Sequence, residues 1–159
     1  AVDAVRGTAA LLFINDHWRE AIDAGAYGVH LGQEDLDALA PDELARLRGS
    51  GLRLGLSTHG YAEMLRADAA SPSYLAMGAV YATTLKRMPT PPQGPARLAA
   101  YAALMRGRPL VAIGGIDAAR FAEVLAGGVG SVAVVRALVA AADPEAEARR
   151  LMARLDGAG

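Results

Sequence analysis

The chain contains no cysteine, which excludes a disulfide framework, a thiolate metal site and a cysteine nucleophile. Aromatic residues make up only 5% of it, so a buried core must be built mainly from Ala, Val, Leu and Ile. Neither sign of charge dominates: 16 Lys and Arg stand against 17 Asp and Glu, for a net charge of −1. That balance argues against a nucleic-acid partner or an anionic membrane surface. No uncharged apolar run reaches the roughly 18 residues of a membrane span, and the opening residues show no signal-peptide pattern. The longest candidate, Val129 to Ala142, is interrupted by Arg136. Two residue types are nearly missing. Lys86 is the one lysine beside 15 arginines, and Asn15 is the one asparagine, so neither reads as surface filler. These absences describe a soluble protein, assigned most simply to the cytoplasm.

What is present is a core-forming composition, 53% hydrophobic, in 159 residues, a length that suits one domain. Short runs rich in Val, Ile and Leu predict buried strands at Leu11–Asn15, Gly28–Leu31, Leu52–Ser57, Tyr74–Tyr81, Leu110–Ile113 and Ser131–Val135. Helical spacing of apolar residues predicts helices over Trp18–Gly25, Pro41–Gly49, His59–Ala70, Ala96–Arg106, Asp117–Ala126 and Pro144–Leu155. Gly25 suits a C-terminal cap, Pro41 a first turn and Asp117 an N-cap. Residues Ala1–Ala10 read as the tail of a helix. Alternating strands and helices imply parallel strands with crossover helices, so an α/β fold, either a (β/α) barrel or an open doubly wound sheet. A complete eight-unit barrel needs at least about 200 residues. If this chain is a barrel, it is an incomplete one of about six units. One connection stands out: Ala82–Pro95 holds Pro89, Pro91, Pro92 and Pro95 and is unsuited to regular helix or central strand.

In parallel α/β folds ligands gather at the carboxyl ends of the strands. The polar residues there are Asn15 and Asp16, then Gln33, Glu34 and Asp35, then Ser57, Thr58 and His59, then Thr83, Thr84 and Lys86, followed by Gly114–Gly115 and Arg136. Asp16 and Asp35 suit a hard cation such as Mg²⁺ shared with substrate phosphates, or equally helix capping. Gly114–Gly115 suits backbone contact with an anion, or equally a tight turn with positive φ. Lys86 suits a phosphate, or a solvated loop position. Arg136 suits bidentate phosphate binding, or a surface salt bridge. His17, His30 and His59 show no zinc spacing, and His30 reads as a core or rim residue. Ser57 lacks the G-x-S-x-G setting of a serine hydrolase, and no nucleophile–base pair is legible.

The stretch LFINDHWREAIDAGAYGVHLGQEDL (12–36) closely resembles the corresponding block of thiamine-phosphate synthases. So do GLSTHG (55–60), TTLK (83–86), VAIGGI (111–116) and VAVVRAL (132–138), in the same order over essentially the whole chain. The pairing of IND with GVHLGQEDL is the most specific element. The resemblance implies a TIM barrel over residues 1–159, a single partial domain lacking two amino-terminal β/α units. It implies a Mg²⁺-dependent transferase that joins a hydroxymethylpyrimidine diphosphate to a thiazole phosphate, yielding thiamine phosphate and pyrophosphate. By the same resemblance Asp16 and Asp35 are the Mg²⁺ ligands. Asn15, Ser57 and Lys86 contact the pyrimidine diphosphate, with Ser57 and Lys86 carrying the catalytic part. Thr83, Thr84, Leu85, Gly115, Val135 and Arg136 hold the thiazole phosphate. The partners are small molecules, with unpaired strand edges favouring a homo-oligomer. Three departures stand against the family pattern. The two threonines are adjacent rather than separated by one residue before Lys86, position 136 is Arg rather than Ser, and the Gln-x-Arg-x-Lys diphosphate motif is absent. Two other readings share these features: a thiazole tautomerase, and a non-catalytic phosphate-binding relic. Retention of Asp16, Asp35 and Lys86 favours the synthase, because a tautomerase needs no metal-bound diphosphate.

Overall fold

The computed structural model describes residues 1–85 and 90–157. Along them run α1 (Val2–Val5), β1 (Phe13–Asn15), α2 (Trp18–Asp23), β2 (Gly28–Leu31), α3 (Gln33–Ala38), α4 (Pro41–Gly49) and β3 (Arg53–Thr58). Next come α5 (Tyr61–Ala69), β4 (Tyr74–Met77), α6 (Gly94–Leu104) and β5 (Leu110–Ile113). The last elements are α7 (Phe121–Ala126), β6 (Ser131–Ala133), α8 (Arg136–Val139) and α9 (Pro144–Asp156). The chain divides into two compact units, Ala1–Thr58 with Ala62–Leu75, and His59–Tyr61 with Ala76–Gly159.

In the first unit β1, β2 and β3 are parallel neighbours, with Asn15 opposite His30 and His30 opposite Gly55. The amide of Ser73 donates to the Leu54 carbonyl at 2.7 Å, leading the chain into β4 beside β3. Because side chains alternate across a strand, this register sorts them onto two faces. One face carries Val29, Leu31, Leu54 and Leu56, all buried. Helix α2 packs against β1 and β2, and α3 against β3. Each such Leu or Val side chain contributes about 1.5–3 kcal/mol on burial. Trp18 of α2 is buried, with the Arg19 and Arg46 guanidinium groups 4.4 and 5.7 Å from its ring centroid. Arg19 also pairs with Glu43 of α4.

The opposite face is aromatic and polar. It carries Phe13, Asn15, His30 and Ser57, with Gly28 and Gly55 between them. The glycines are required by close approach. A Cβ on Gly55 would lie 2.4 Å from the Tyr74 Oη, and one on Gly28 would lie 2.5 Å from the Arg53 carbonyl oxygen and 2.4 Å from the Phe13 ring. Into that space Tyr74 sets its ring edge-on to Phe13, with centroids 5.2 Å apart.

In the second unit the order is β4, β5, β6, with Val111 opposite Ser131 and Ile113 opposite Ala133 in parallel. Met77, Val80, Leu98, Tyr101, Leu110, Ala112, Phe121, Val124 and Leu151 form its buried core. Beyond β4, the amides of Val80 and Tyr81 bond to the carbonyls of Ile113 and Gly114, both at 3.0 Å.

The α/β alternation with parallel strands matches expectation, while several boundaries move. The strand predicted over Tyr74–Tyr81 ends at Met77, and the one over Ser131–Val135 ends at Ala133, where Val135 turns the chain into α8. The short helices α3 and α8 are additional, since six and four residues hold too little apolar periodicity to register. Asp117 caps the turn before α7, accepting from the amides of Ala119 and Arg120 at 3.0 and 3.1 Å, and regular helix begins only at Phe121. Helix α6 begins at Gly94, inside the proline-rich stretch, with Pro95 in its first turn. Among the described residues no helix is long and apolar enough to cross a membrane.

Gly28→Ala forces its methyl against a sheet carbonyl and lowers the unfolding free energy by about 1–3 kcal/mol in urea denaturation. Gly49→Ala, at a helical position with nothing within 4 Å of the added methyl, leaves stability unchanged or raises it by up to about 1 kcal/mol.

Candidate active site

The first unit collects polar residues at the ends of β1, β2 and β3. Asn15 ends β1, and its side-chain amide donates to Asp16 Oδ2 at 2.6 Å. Asp16 has a left-handed backbone (φ 63°), a conformation costing about 1–2 kcal/mol for most residues and tolerated best by Asn and Asp. The Asp16 amide donates to the His30 carbonyl at 2.9 Å. His17, not Asp16, occupies the N-cap of α2. Asp35 sits in the first turn of α3, where its Oδ2 accepts the Gly32 amide at 3.0 Å. Asp35 is therefore a capping residue from inside the helix, with its carboxylate still half-exposed.

Ser57, near the end of β3, is held at both its polar groups. Its Oγ lies 2.7 Å from His30 Nε2, and its carbonyl accepts from Gln33 Nε2 at 2.6 Å. His30 Nδ1 lies 2.8 Å from Tyr74 Oη. Gln33 is almost fully buried, and its Oε1 accepts from Arg66 Nη2 at 2.6 Å and Nε at 3.2 Å. Arg66 reaches on to Asp37 at 3.0 Å. Burial lowers the His30 pKa, and the Asp35 carboxylate opposes that fall. Burial raises the Tyr74 pKa, so the phenol keeps its proton.

His30 is thus the hub of this unit. Its backbone supports Asp16, its ring supports Ser57 and Tyr74, and it feels the charge of Asp35. The sequence marks His30 only as a core or rim residue and Gln33 only as one of the polar residues after β2, and it gives Tyr74 no role beyond its strand. A signal was available: His30 alternates with Gly28 on the same face as Asn15, which marks a polar position among small ones rather than an apolar core position.

The second unit gathers the other candidates. Gly114 and Gly115 have φ of 98° and 66°, and a Cβ on Gly115 would lie 2.5 Å from the Ala82 carbonyl oxygen. The turn reading of this pair is therefore met by both conformation and close approach. Arg120 donates to the Gly115 carbonyl at 2.7 Å while its guanidinium covers the Tyr81 ring at 4.5 Å, and Tyr81 donates to Glu123 at 2.6 Å. Arg136 Nη1 donates to Thr84 Oγ1 at 3.0 Å, bringing together two of the departures from the family pattern. Thr83 Oγ1 accepts the Leu85 amide at 3.3 Å, and Leu85 and Val135 are exposed. Lys86 lies outside the described residues.

The donor set of the first unit suits a hard divalent ion. Two carboxylates leave the ends of adjacent parallel strands, and Mg²⁺ is often held by one or two carboxylates plus substrate phosphates. Among the described residues no three His, Cys, Asp or Glu side chains cluster so as to hold a metal ion by themselves.

A family model described as thiamine monophosphate synthase matches residues 1–138. The chain belongs to the thiamine monophosphate synthase family. The thiamine-phosphate synthase of Neisseria gonorrhoeae is 55% identical over 156 residues, covering 98% of this chain and 75% of that protein. That of Serratia proteamaculans is 51% identical over 148 residues, covering 93% and 68%. Among solved structures, thiamine phosphate pyrophosphorylase from Pyrococcus furiosus superposes with a TM-score of 0.83 at 30% identity, covering 98% of this chain and 72% of that one. Orotidine 5'-phosphate decarboxylase from Pyrococcus horikoshii shares the fold alone, with a TM-score of 0.67 at 14% identity. The incomplete (β/α)-barrel class expected for this synthase-family chain is borne out by that likeness and by the sequential strand order.

The Gln33 clamp generates a prediction. Gln33→Leu strands the Ser57 carbonyl and leaves Arg66 its exposed pairing with Asp37, and it lowers unfolding free energy by about 1–3 kcal/mol in urea denaturation. Asp37→Asn, which weakens only an exposed ion pair, changes it by less than about 1 kcal/mol.

Proposed function

We propose that this chain carries the transferase chemistry of thiamine biosynthesis, condensing hydroxymethylpyrimidine diphosphate with thiazole phosphate to give thiamine phosphate and pyrophosphate. The observation that carries the reading is the 55% identity to a thiamine-phosphate synthase across 98% of the chain, which takes in every candidate residue at the strand ends. In this reading residues 1–159 act as one domain, in the cytoplasm, on small-molecule substrates. Association between copies of the chain, through open strand edges, belongs to the same proposal.

The bond changes need little covalent help from the protein. The C–O bond to pyrophosphate breaks, and the electron pair leaves with the pyrophosphate. The pyrimidine ring stabilises the carbocation that remains. The thiazole nitrogen then attacks that carbon and forms the C–N bond. Asn15, Ser57 and Lys86 hold the diphosphate side, with hydroxyl and ammonium donors aimed at the oxygens where negative charge collects. Thr83, Thr84, Leu85, Gly115, Val135 and Arg136 hold the thiazole phosphate, and Arg136 adds a cationic fork through its contact with Thr84. Asp16 and Asp35 hold Mg²⁺, which when bound neutralises diphosphate charge and improves the leaving group. Such a dissociative reaction calls for no protein nucleophile, so the Ser57 hydroxyl beside His30 Nε2 serves as a hydrogen-bond donor rather than an attacking group.

With both substrates and Mg²⁺, the purified chain is expected to release pyrophosphate, measured by a coupled assay. EDTA abolishes the release, and Lys86→Ala lowers kcat by roughly 10²–10³-fold, as for loss of a charge-stabilising donor. Metal-independent isomerisation of a thiazole phosphate without condensation overturns the reading in favour of a tautomerase. Binding of thiazole phosphate without either turnover overturns it in favour of a phosphate-binding protein.

A further inference from the structure

Beyond the residues assigned so far, Tyr74, His30 and Ser57 form an unbroken chain of hydrogen bonds across β4, β2 and β3 in the first unit, at 2.8 and 2.7 Å. We propose that this chain is a one-directional relay that turns the Ser57 hydroxyl proton outward, as a donor to an anionic substrate oxygen, and that Tyr74 and His30 are positioning residues acting through Ser57. The proposal rests on the synthase reading for the identity of that anion, the diphosphate.

Direction follows from counting protons. A neutral imidazole has one N–H donor and one bare nitrogen acceptor. If Nδ1 carried the proton, it would donate to Tyr74 Oη, and the phenolic proton would then need another acceptor. Among the described residues the Tyr74 hydroxyl has His30 as its hydrogen-bond partner and no other, so that arrangement leaves the unpaired donor at the start of β4, on a ring packed against Phe13 and Gly55. The reverse arrangement satisfies the phenol and both ring nitrogens, and it leaves the unpaired donor near the carboxyl end of β3, where ligands gather in parallel α/β folds. The phenol donates to bare Nδ1, the Nε2–H donates to Ser57 Oγ, and the one proton left over is that of the serine hydroxyl.

The surroundings keep the relay in register. Gly55 leaves the space that the Tyr74 ring occupies, since a Cβ there would lie 2.2 Å from the tyrosine Cζ. The imidazole and phenol rings lie nearly parallel, 21° apart, with centroids separated by 5.6 Å. Gln33 grips the Ser57 carbonyl from α3 and is itself gripped by Arg66. The serine backbone is therefore fixed, and the hydroxyl rotor is the freedom that His30 removes. A rotor fixed in advance spares the ordering cost when substrate binds.

Two measurements on the full chain test this. Pyrophosphate release is compared for wild type, Tyr74→Phe, Ser57→Ala and the double variant. Tyr74→Phe keeps the ring and is expected to lower kcat/KM by about tenfold, as expected for a lost orienting hydrogen bond. In the Ser57→Ala background the same change is expected to have less than about a twofold effect, because its action passes through the hydroxyl. An equal loss in both backgrounds overturns the relay and makes Tyr74 a merely structural residue. Independently of turnover, ¹⁵N spectra of histidine-labelled protein, with His30 assigned by the loss of its signals in His30→Gln, are expected to show the Nε2–H tautomer in wild type and a shift toward Nδ1–H in Tyr74→Phe. An Nδ1–H tautomer in wild type overturns the relay whatever the activity. An Nε2–H tautomer in a chain that releases no pyrophosphate supports the relay's direction while overturning the proposed reaction.

Discussion

The volume of one absent methyl group at Gly55 governs how the first unit is built. With any side chain there, the Tyr74 ring would be displaced from the face it shares with Phe13 and His30. That placement is what brings a phenol against an imidazole and the imidazole against a serine. Gly28 does the same for Phe13 one strand away. Small residues on this face exclude nothing by themselves; they create the space in which large polar rings meet. The other face of the same strands holds Val29, Leu31, Leu54 and Leu56 and supplies the burial that stabilises the unit. Stability and chemistry are thereby assigned to opposite faces of one set of strands.

The second unit uses glycine differently. Gly114 and Gly115 combine a left-handed backbone with contact against the segment that follows β4, so the turn after β5 is locked by conformation and by sterics together. Arg120 then covers that turn, reaching its carbonyl and the Tyr81 ring at once. Arg136, one of the departures from the family pattern, extends the same cationic character to Thr84. A serine at that position would offer a short neutral donor, whereas the guanidinium offers a charge and a planar fork.

His30 illustrates how a residue's function depends on what surrounds it. In isolation a histidine in an apolar strand reads as filler, and here burial does hold it toward the neutral form. Neutrality is what makes it directional, because a neutral imidazole gives at one nitrogen and accepts at the other.

The sequence by itself determined the α/β alternation, the strand positions to within a few residues and the rim candidates Asn15, Asp16, Asp35 and Ser57, because periodicity and residue type are local properties. It also carried the family, through blocks such as GVHLGQEDL whose order and spacing are written in the chain. It could not reveal the partnership of His30 with Tyr74, which are 44 residues apart, or of Gln33 with Arg66, which are 33 apart. Nor did it separate capping from metal binding at Asp35, which turns out to cap from inside its helix while keeping a half-exposed carboxylate. Only the tertiary structure decided these points, because strand register determines which side chains share a face and within hydrogen-bonding distance of one another.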